Sequence, residues 1–322
     1  MLGGGTRGAC NHRDTGGMLA VLGLCLPFFL LIGLGHAVGR RSAWAPQALP
    51  GLNSVVMLFT LPALLLLMGR DWARQGFEGA ALLPVYALAS MGVVASAWAL
   101  AGRAGLAPRP RGLAALIAAF PNTGFMGLPL IAGLLGPSAA APVGATIVFD
   151  LVLTTTVCLV LGGGTPVQGL RLAARNPLPW SVLAGMVWGL SGWGLPAPIE
   201  RSLALLAQAT TPLALMCLGL ALALQAPAPR SPLAGQLTAV KLVLHPLLAW
   251  LGGQWALAQG WMSAQAAAVL VLACALPSAA NVALLAQRLD ADDPAVSRTI
   301  LGSTALAVLT LPLLAWALGV RL

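Results

Sequence analysis

Charge is what this sequence lacks. Only 8% of its 322 residues are Asp, Glu, Lys or Arg, where a water-soluble domain carries about a quarter. There are eight acids and a single lysine, Lys241. No stretch is long or polar enough to make a second domain that faces water. The 17 basic residues give a formal net charge of +9, but they stand singly or in small groups at the ends of apolar runs. That scatter excludes a phosphate-tracking face, so no nucleic-acid partner is expected. Paired cysteine motifs are missing too. Cys10, Cys25, Cys158, Cys217 and Cys274 include no C-x-x-C, and four of them lie in apolar runs, where a thiol is a small hydrophobe. Cys10 with His12 offers two ligands at most, so no metal site is expected. No phosphate loop, H-E-x-x-H or nucleophile elbow stands in a usable context, which leaves an enzyme without a catalytic constellation.

What is present is apolar side chain, 59% of the total. A water-facing fold cannot bury that much, so lipid is the solvent for most of the chain. Residues 1–17 form a polar, glycine-rich tail, and either Met1 or Met18 can be the start of translation. The run from Met18 to Val38 is too long for a cleaved signal and reads as a first span. Apolar runs between Pro, Gly and polar punctuation predict ten spans at about 18–39, 51–69, 79–102, 112–135, 141–163, 178–195, 203–224, 235–258, 264–288 and 297–320. They make one transmembrane domain, 18–322.

Basic residues orient these spans. Loops after odd-numbered spans, together with the span ends that flank them, hold eleven: Arg40, Arg41, Arg103, Arg109, Arg111, Arg171, Arg175, Arg230, Lys241, Arg288 and Arg298. The termini and the remaining loops hold six: Arg7, Arg13, Arg70, Arg74, Arg201 and Arg321. Positive residues favour the cytoplasmic side, which puts both termini outside, in the periplasm or exterior.

Landmarks recur in order along the chain. Cys25–Gly33 echoes Pro177–Gly185 at an offset of 152, Pro62 echoes Pro212 at 150, and Pro121 echoes Pro277 at 156. Leu151–Thr154 echoes Ala307–Thr310, again at 156. The repeats are about 18–163 and 178–320. Each holds five spans, and an odd number inverts the second copy, which is the plan of many secondary transporters.

Two spans are interrupted at matching places: span 4 at Pro121–Asn122–Thr123–Gly124, and span 9 at Pro277–Ser278–Ala279–Ala280–Asn281. Proline removes an amide donor and disfavours helix in the residue before it. Freed backbone groups at mid-bilayer are tolerated only where protein or a water-filled cavity satisfies them. Opposed spans whose second halves begin near the midplane aim two helix N-termini at one region, an anion-binding arrangement. Pro121, Asn122, Thr123, Gly124, Pro277, Ser278 and Asn281 are therefore the candidate substrate site. The plain alternative is a pair of proline kinks that only bends a bundle.

Asp150 is the one acid inside a predicted span, and its repeat counterpart is Leu306. A carboxylate there must pair, take up a proton or face a polar cavity. With Thr154 one turn on, it is the candidate site for a coupling ion, most simply a proton; the alternative is a neutral Asp with a structural role. Lys241 and His245 lie one turn apart on span 8. Lys241 is expected to snorkel to the cytoplasmic interface; the alternative is that one of the two balances an anionic substrate or Asp150. Trp44, Trp72, Trp180, Trp193 and Trp261 lie near span ends, as an aromatic belt requires.

"FPNTGFMGLPL" in span 4, with "LPSAANVALLAQR" in span 9, resembles the auxin efflux carrier superfamily, which includes bacterial permeases for malate, malonate and similar acids. The likeness runs over essentially the whole chain from Met18. It implies an all-helical fold like that of sodium/proton antiporters and bile-acid symporters, with two broken helices crossing at the substrate site. Spans 1, 2, 6 and 7 (18–69 and 178–224) would form a scaffold, and spans 3–5 and 8–10 (79–163 and 235–320) a moving transport domain. It further implies a small organic anion as substrate, contacted by Asn122 and Asn281, with no cofactor, and related carriers suggest a homodimer. Sodium coupling in such folds uses extra polar and acidic groups, and span 9 offers only Ser278, Asn281 and Gln287. A proton is favoured over sodium. The alternative is a sodium/proton antiporter, or a sodium-coupled organic-anion symporter, on the same architecture.

Overall fold

The computed structural model of the chain describes residues 11–77, 79–225, 231–279, 282, 285, 286 and 294–319. Among them there are helices and turns but no strand. The elements are α1 (Asn11–Arg41), α2 (Ala45–Arg74), α3 (Leu82–Arg103), α4 (Pro108–Ala119), α5 (Thr123–Leu135) and α6, which runs from Pro137–Phe149 through Asp150–Thr154 to Thr155–Leu161. A short α7 (Pro166–Ala174) follows, then α8 (Pro177–Ser191), α9 (Ala197–Leu224), α10 (Pro232–Ala258), α11 (Ala264–Ala275) and α12 (Pro294–Ala317). Proline opens many of them, since its missing amide has no partner in a first turn anyway. Asn176, Ser231 and Ser263 cap α8, α10 and α11 by accepting amides of the first turn.

Seven of these helices (α1, α2, α3, α6, α9, α10 and α12) are long and apolar enough to cross a bilayer. Each contains an apolar stretch of 18 residues, about 27 Å at the helical rise. α4 and α5 lie on the stretch expected as span 4, α11 on the first part of that expected as span 9, and α8 on that expected as span 6; all four are shorter than the seven. The structure differs from expectation at the connection after α6: the stretch read as a plain loop contains α7, whose Thr165 and Gln168 cap each other's backbone amides. Of the five tryptophans assigned to a belt, Trp44, Trp180, Trp193 and Trp261 are exposed, whereas Trp72 is buried and packs edge-on against Phe77.

α1 packs along α9, and α2 along α8. Both contacts are backbone against backbone, because glycine stands where any side chain would collide. A Cβ on Gly35 would strike the carbonyl of Met216, and one on Gly185 the carbonyl of Leu66. A Cβ on Gly219 would strike the carbonyl of Ile32, and one on Gly69 the carbonyl of Val182, at 2.5 Å. Every residue in one interface is 150 positions from its partner in the other. Gly39 and Gly189 continue the series, facing Ala223 and Ala73. Close helix approach through small residues is the usual substitute for a hydrophobic drive in lipid. The first pair of landmarks thus registers at 150, matching Pro62 and Pro212, and not at the expected 152.

Among the described residues four wide turns stand in the helices, each closed by an amide that reaches back five residues. Leu61 donates to Val56, Leu128 to Thr123, Thr155 to Asp150 and His245 to Val240. Pro62, Pro129 and Pro246 follow three of them directly. A proline ring collides with the carbonyl four residues earlier, and a widened turn removes the collision. In the fourth the Thr155 hydroxyl also donates to the freed carbonyl of Asp150, at 2.8 Å.

Candidate functional site

The two interruptions meet. Leu116 holds the end of α4, accepting from the Phe120 amide at 2.8 Å. The chain then extends through Pro121 and Asn122, and α5 begins at Thr123. Thr123 and Gly124, expected in the break, belong to the first turn of α5. On the other side α11 stops at Ala275, and Leu276 to Ala279 are extended or irregular. The backbones pair as a two-residue antiparallel bridge centred on Pro121 and Ser278. The Asn122 amide donates to the Pro277 carbonyl (2.8 Å) and the Ala279 amide to the Phe120 carbonyl (3.0 Å). The Ser278 amide is held by Oγ of Ser303 on α12, at 3.0 Å. Asn281 lies outside the described residues.

The bridge disposes of the carbonyls that a break would strand in lipid. It leaves two side-chain groups over. Asn122 Nδ2 and Ser278 Oγ are buried and have no hydrogen-bond partner among the described residues. A small pocket of about 20 Å³ touches Asn122, Pro121, Gly124 and Ala279, and is closed on the far side by Met57 and Leu61 of α2 and Leu178 of α8. That is room for about one water. Gly124 and Phe125 in the first turn of α5 line it, at the positive end of that helix, while the Thr123 amide is held by the Pro121 carbonyl at 2.8 Å. Met57, Phe120 and Leu151 also line a larger cavity of about 680 Å³ that reaches α7.

A second set of polar groups lies deeper. Asp150 stands on the wide turn of α6, fully buried. Oδ2 accepts from the hydroxyl of Tyr86 on α3 at 2.5 Å, and Oδ1 from Thr154 at 2.9 Å. Beside Tyr86 stands the His245 ring, with centroids 6.0 Å apart. His245 Nδ1 lies 2.9 Å from Lys241 Nζ, and Nε2 lies 3.3 Å from Ser90 Oγ. An ammonium can only donate, so Nδ1 accepts and the ring proton sits on Nε2, facing Ser90. Lys241 also donates to the Cys274 carbonyl at 3.3 Å, three residues before Pro277. Lys241 therefore does not snorkel. It is wholly buried, and its ammonium occupies the carbonyl end of α11, where the helix dipole is negative.

The structure thus brings Pro121, Asn122, Pro277 and Ser278 together, with Thr123 and Gly124 at the rim. It joins Asp150 to Thr154, and Lys241 to His245, in a neighbouring cluster. Sequence reading missed Tyr86 and Ser90. The available signal was that Tyr86 is the sole tyrosine in the chain and falls inside an expected span. Among the described residues no three His, Cys, Asp or Glu side chains gather as a metal site.

Comparison with known proteins returns one family, described as "Membrane transport protein", whose model matches residues 20–163 and 167–315. Curated relatives cover nearly the whole chain. A protein of Rhizobium meliloti (strain 1021) named "Putative malonate transporter" is 32% identical over 309 residues, 91% of this chain and 94% of its own length. An "Uncharacterized transporter" of Methanothermobacter thermautotrophicus is 30% identical over 300 residues, 89% of this chain and 95% of its own. "Uncharacterized transporter YfdV" of Escherichia coli (strain K12) is 26% identical over 303 residues, 89% and 93% respectively.

Proposed function

Because the chain belongs to the membrane transport protein family, that of the auxin efflux carriers, we propose that it is a secondary carrier for small organic anions, carboxylates above all, with its substrate site where the two broken helices cross. It is a multi-pass membrane transport protein and not an enzyme. The observation that carries the proposal is the bridged pair of breaks. It sets a buried, unpartnered Asn122 Nδ2 and the N-terminal end of α5 against one pocket, with an unpartnered Ser278 Oγ on the paired segment beside it. Donors without acceptors, at the positive end of a helix, suit a carboxylate. The name of the Rhizobium meliloti relative points to the same substrate class. Asn281 would complete the site from the second repeat.

The architecture proposed is ten spans in two inverted repeats. The contacts of Gly35, Gly39 and Gly69, repeated 150 residues later at Gly185, Gly189 and Gly219, support it, since they relate α1 and α2 to α8 and α9 as one pair. In this reading those four helices are the scaffold, and the remaining spans move against it to expose the site to each side alternately. Asp150 carries the coupling proton, with Thr154 and Tyr86 holding its two oxygens. Sodium is disfavoured because Lys241 already places a cation at the carbonyl end of α11. Both termini face out of a bacterial inner membrane.

The test is uptake into proteoliposomes of a panel of mono- and dicarboxylates, with and without a pH gradient. Carboxylate uptake that an Asn122→Ala variant loses supports the proposal. Cation exchange with no carboxylate movement would instead favour a sodium/proton antiporter.

A further inference from the structure

The cavity of about 680 Å³ has a feature that the site at the breaks does not explain. It is bordered by α2, α4, α6, α7 and α8, and shares Met57, Phe120 and Leu151 with the small pocket at Asn122. Its walls are largely apolar, with Leu49, Met57 and Leu116 among them. Of its described lining residues one is charged, Arg175, and none is acidic. Arg175 follows α7 directly. Its amide donates to Arg171 O at 3.1 Å, and the next residue, Asn176, caps α8 through Oδ1 on the Leu178 amide, at 3.0 Å. The backbone is therefore fixed on both sides of a side chain that is itself exposed. The ion pairs among the described residues are those of Arg70 with Asp71 and Glu200, so no described carboxylate competes for this guanidinium.

We propose that Arg175 is the cation that collects a carboxylate substrate into this cavity before the substrate reaches the breaks, and so sets the apparent affinity on the α7 face alone. The inference rests on the carrier reading above and adds a residue to it. A lone charge between low-dielectric walls concentrates its field in the opening and raises the local level of counter-ions. A guanidinium binds a carboxylate in a two-pronged fit that also orients it. The effect grows with substrate charge, so a dicarboxylate gains more than a monocarboxylate of similar size. It leaves the translocation step untouched, because Arg175 lies outside the pocket at Asn122.

The experiment measures uptake of radiolabelled malonate and acetate into inside-out and right-side-out membrane vesicles, at low and high salt. Arg175→Gln should raise the half-saturating malonate concentration about three- to tenfold when substrate enters from the α7 face. It should leave the maximal rate, and entry from the other face, unchanged. High salt should shrink the difference, acetate should respond less than malonate, and Arg175→Lys should recover part of the loss. Arg171→Gln removes an equal charge from α7 without touching the cavity lining and should behave as the parent. Arg175→Gln matching Arg171→Gln on both faces, with parental malonate uptake intact, overturns the inference. A parent that moves neither acid overturns the carrier reading along with it.

Discussion

The hydroxyl of Tyr86 donates to Oδ2 of Asp150 across 2.5 Å, joining α3 to the wide turn of α6 with both groups fully buried. Thr154 holds the other oxygen, so the carboxylate keeps its position whether or not it carries a proton. Asp150→Asn preserves the size of the side chain and its bond from Thr154 but cannot gain or lose a proton. That variant should fold, bind substrate and exchange it between equal pools, while losing all acceleration by a pH gradient. Gradient-driven uptake equal to the parent's would remove Asp150 from the mechanism. Tyr86→Phe should keep gradient driving and alter its pH profile.

Asn122→Ala should weaken substrate strongly at little structural cost. Nδ2 has no partner among the described residues, so truncation strands no group that Nδ2 serves. A hydrogen bond to a charged group is worth roughly 1.5–3 kcal/mol, so the half-saturating concentration should rise about ten- to a hundredfold. Direct binding by calorimetry, alongside thermal unfolding in detergent, separates the two effects.

Lys241→Met should do the reverse, costing stability first. It removes the donor that serves both the Cys274 carbonyl and His245 Nδ1, and each buried group left alone costs about 1–3 kcal/mol. Unfolding should shift to markedly lower temperature. Adding Asp150→Asn should lower it by less than the sum of the two single changes, because the clusters are neighbours joined through Tyr86 and His245.

Alanine at Gly69 and at Gly219 should destabilise alike, by about 1–3 kcal/mol each, since each new Cβ meets a helix carbonyl. Gly33→Ala serves as the control, because a Cβ there meets nothing within 4 Å. Unequal losses at Gly69 and Gly219 would count against the paired interfaces.

Much of this was legible in advance for a physical reason. Proline marks breaks in apolar helices unmistakably, and Pro121 with Pro277 located both interruptions to within a residue or two. The basic and Pro/Gly punctuation placed many helix ends within a few residues, while α1, α2 and α9 begin earlier than expected, at Asn11, Ala45 and Ala197. The wide turns were not legible, because Val56–Thr60 and Val240–Leu244 are ordinary apolar residues and only the proline after each hints at them. Lys241 was misplaced for the same cause. Its position along the chain suggested an interface, and nothing local reveals that a carbonyl on α11 and a ring on its own helix have claimed its ammonium. The glycine register was off by two because Gly33 was aligned with Gly185, when Gly35 makes the equivalent contact.

The bridge between Pro121 and Ser278 constrains how any motion can proceed. Two backbone hydrogen bonds clasp the interrupted helices among buried residues. Pulling those helices apart would strand four polar groups in an apolar interior, each at a cost of about 1–3 kcal/mol. Where they face α2 and α8 across the small pocket, the side chains are apolar, Met57, Leu61 and Leu178, and sliding them together past these breaks no hydrogen bond of the bridge. The cargo would then ride inside an intact knot, and what changes from one face of the membrane to the other is which wall the knot leans against.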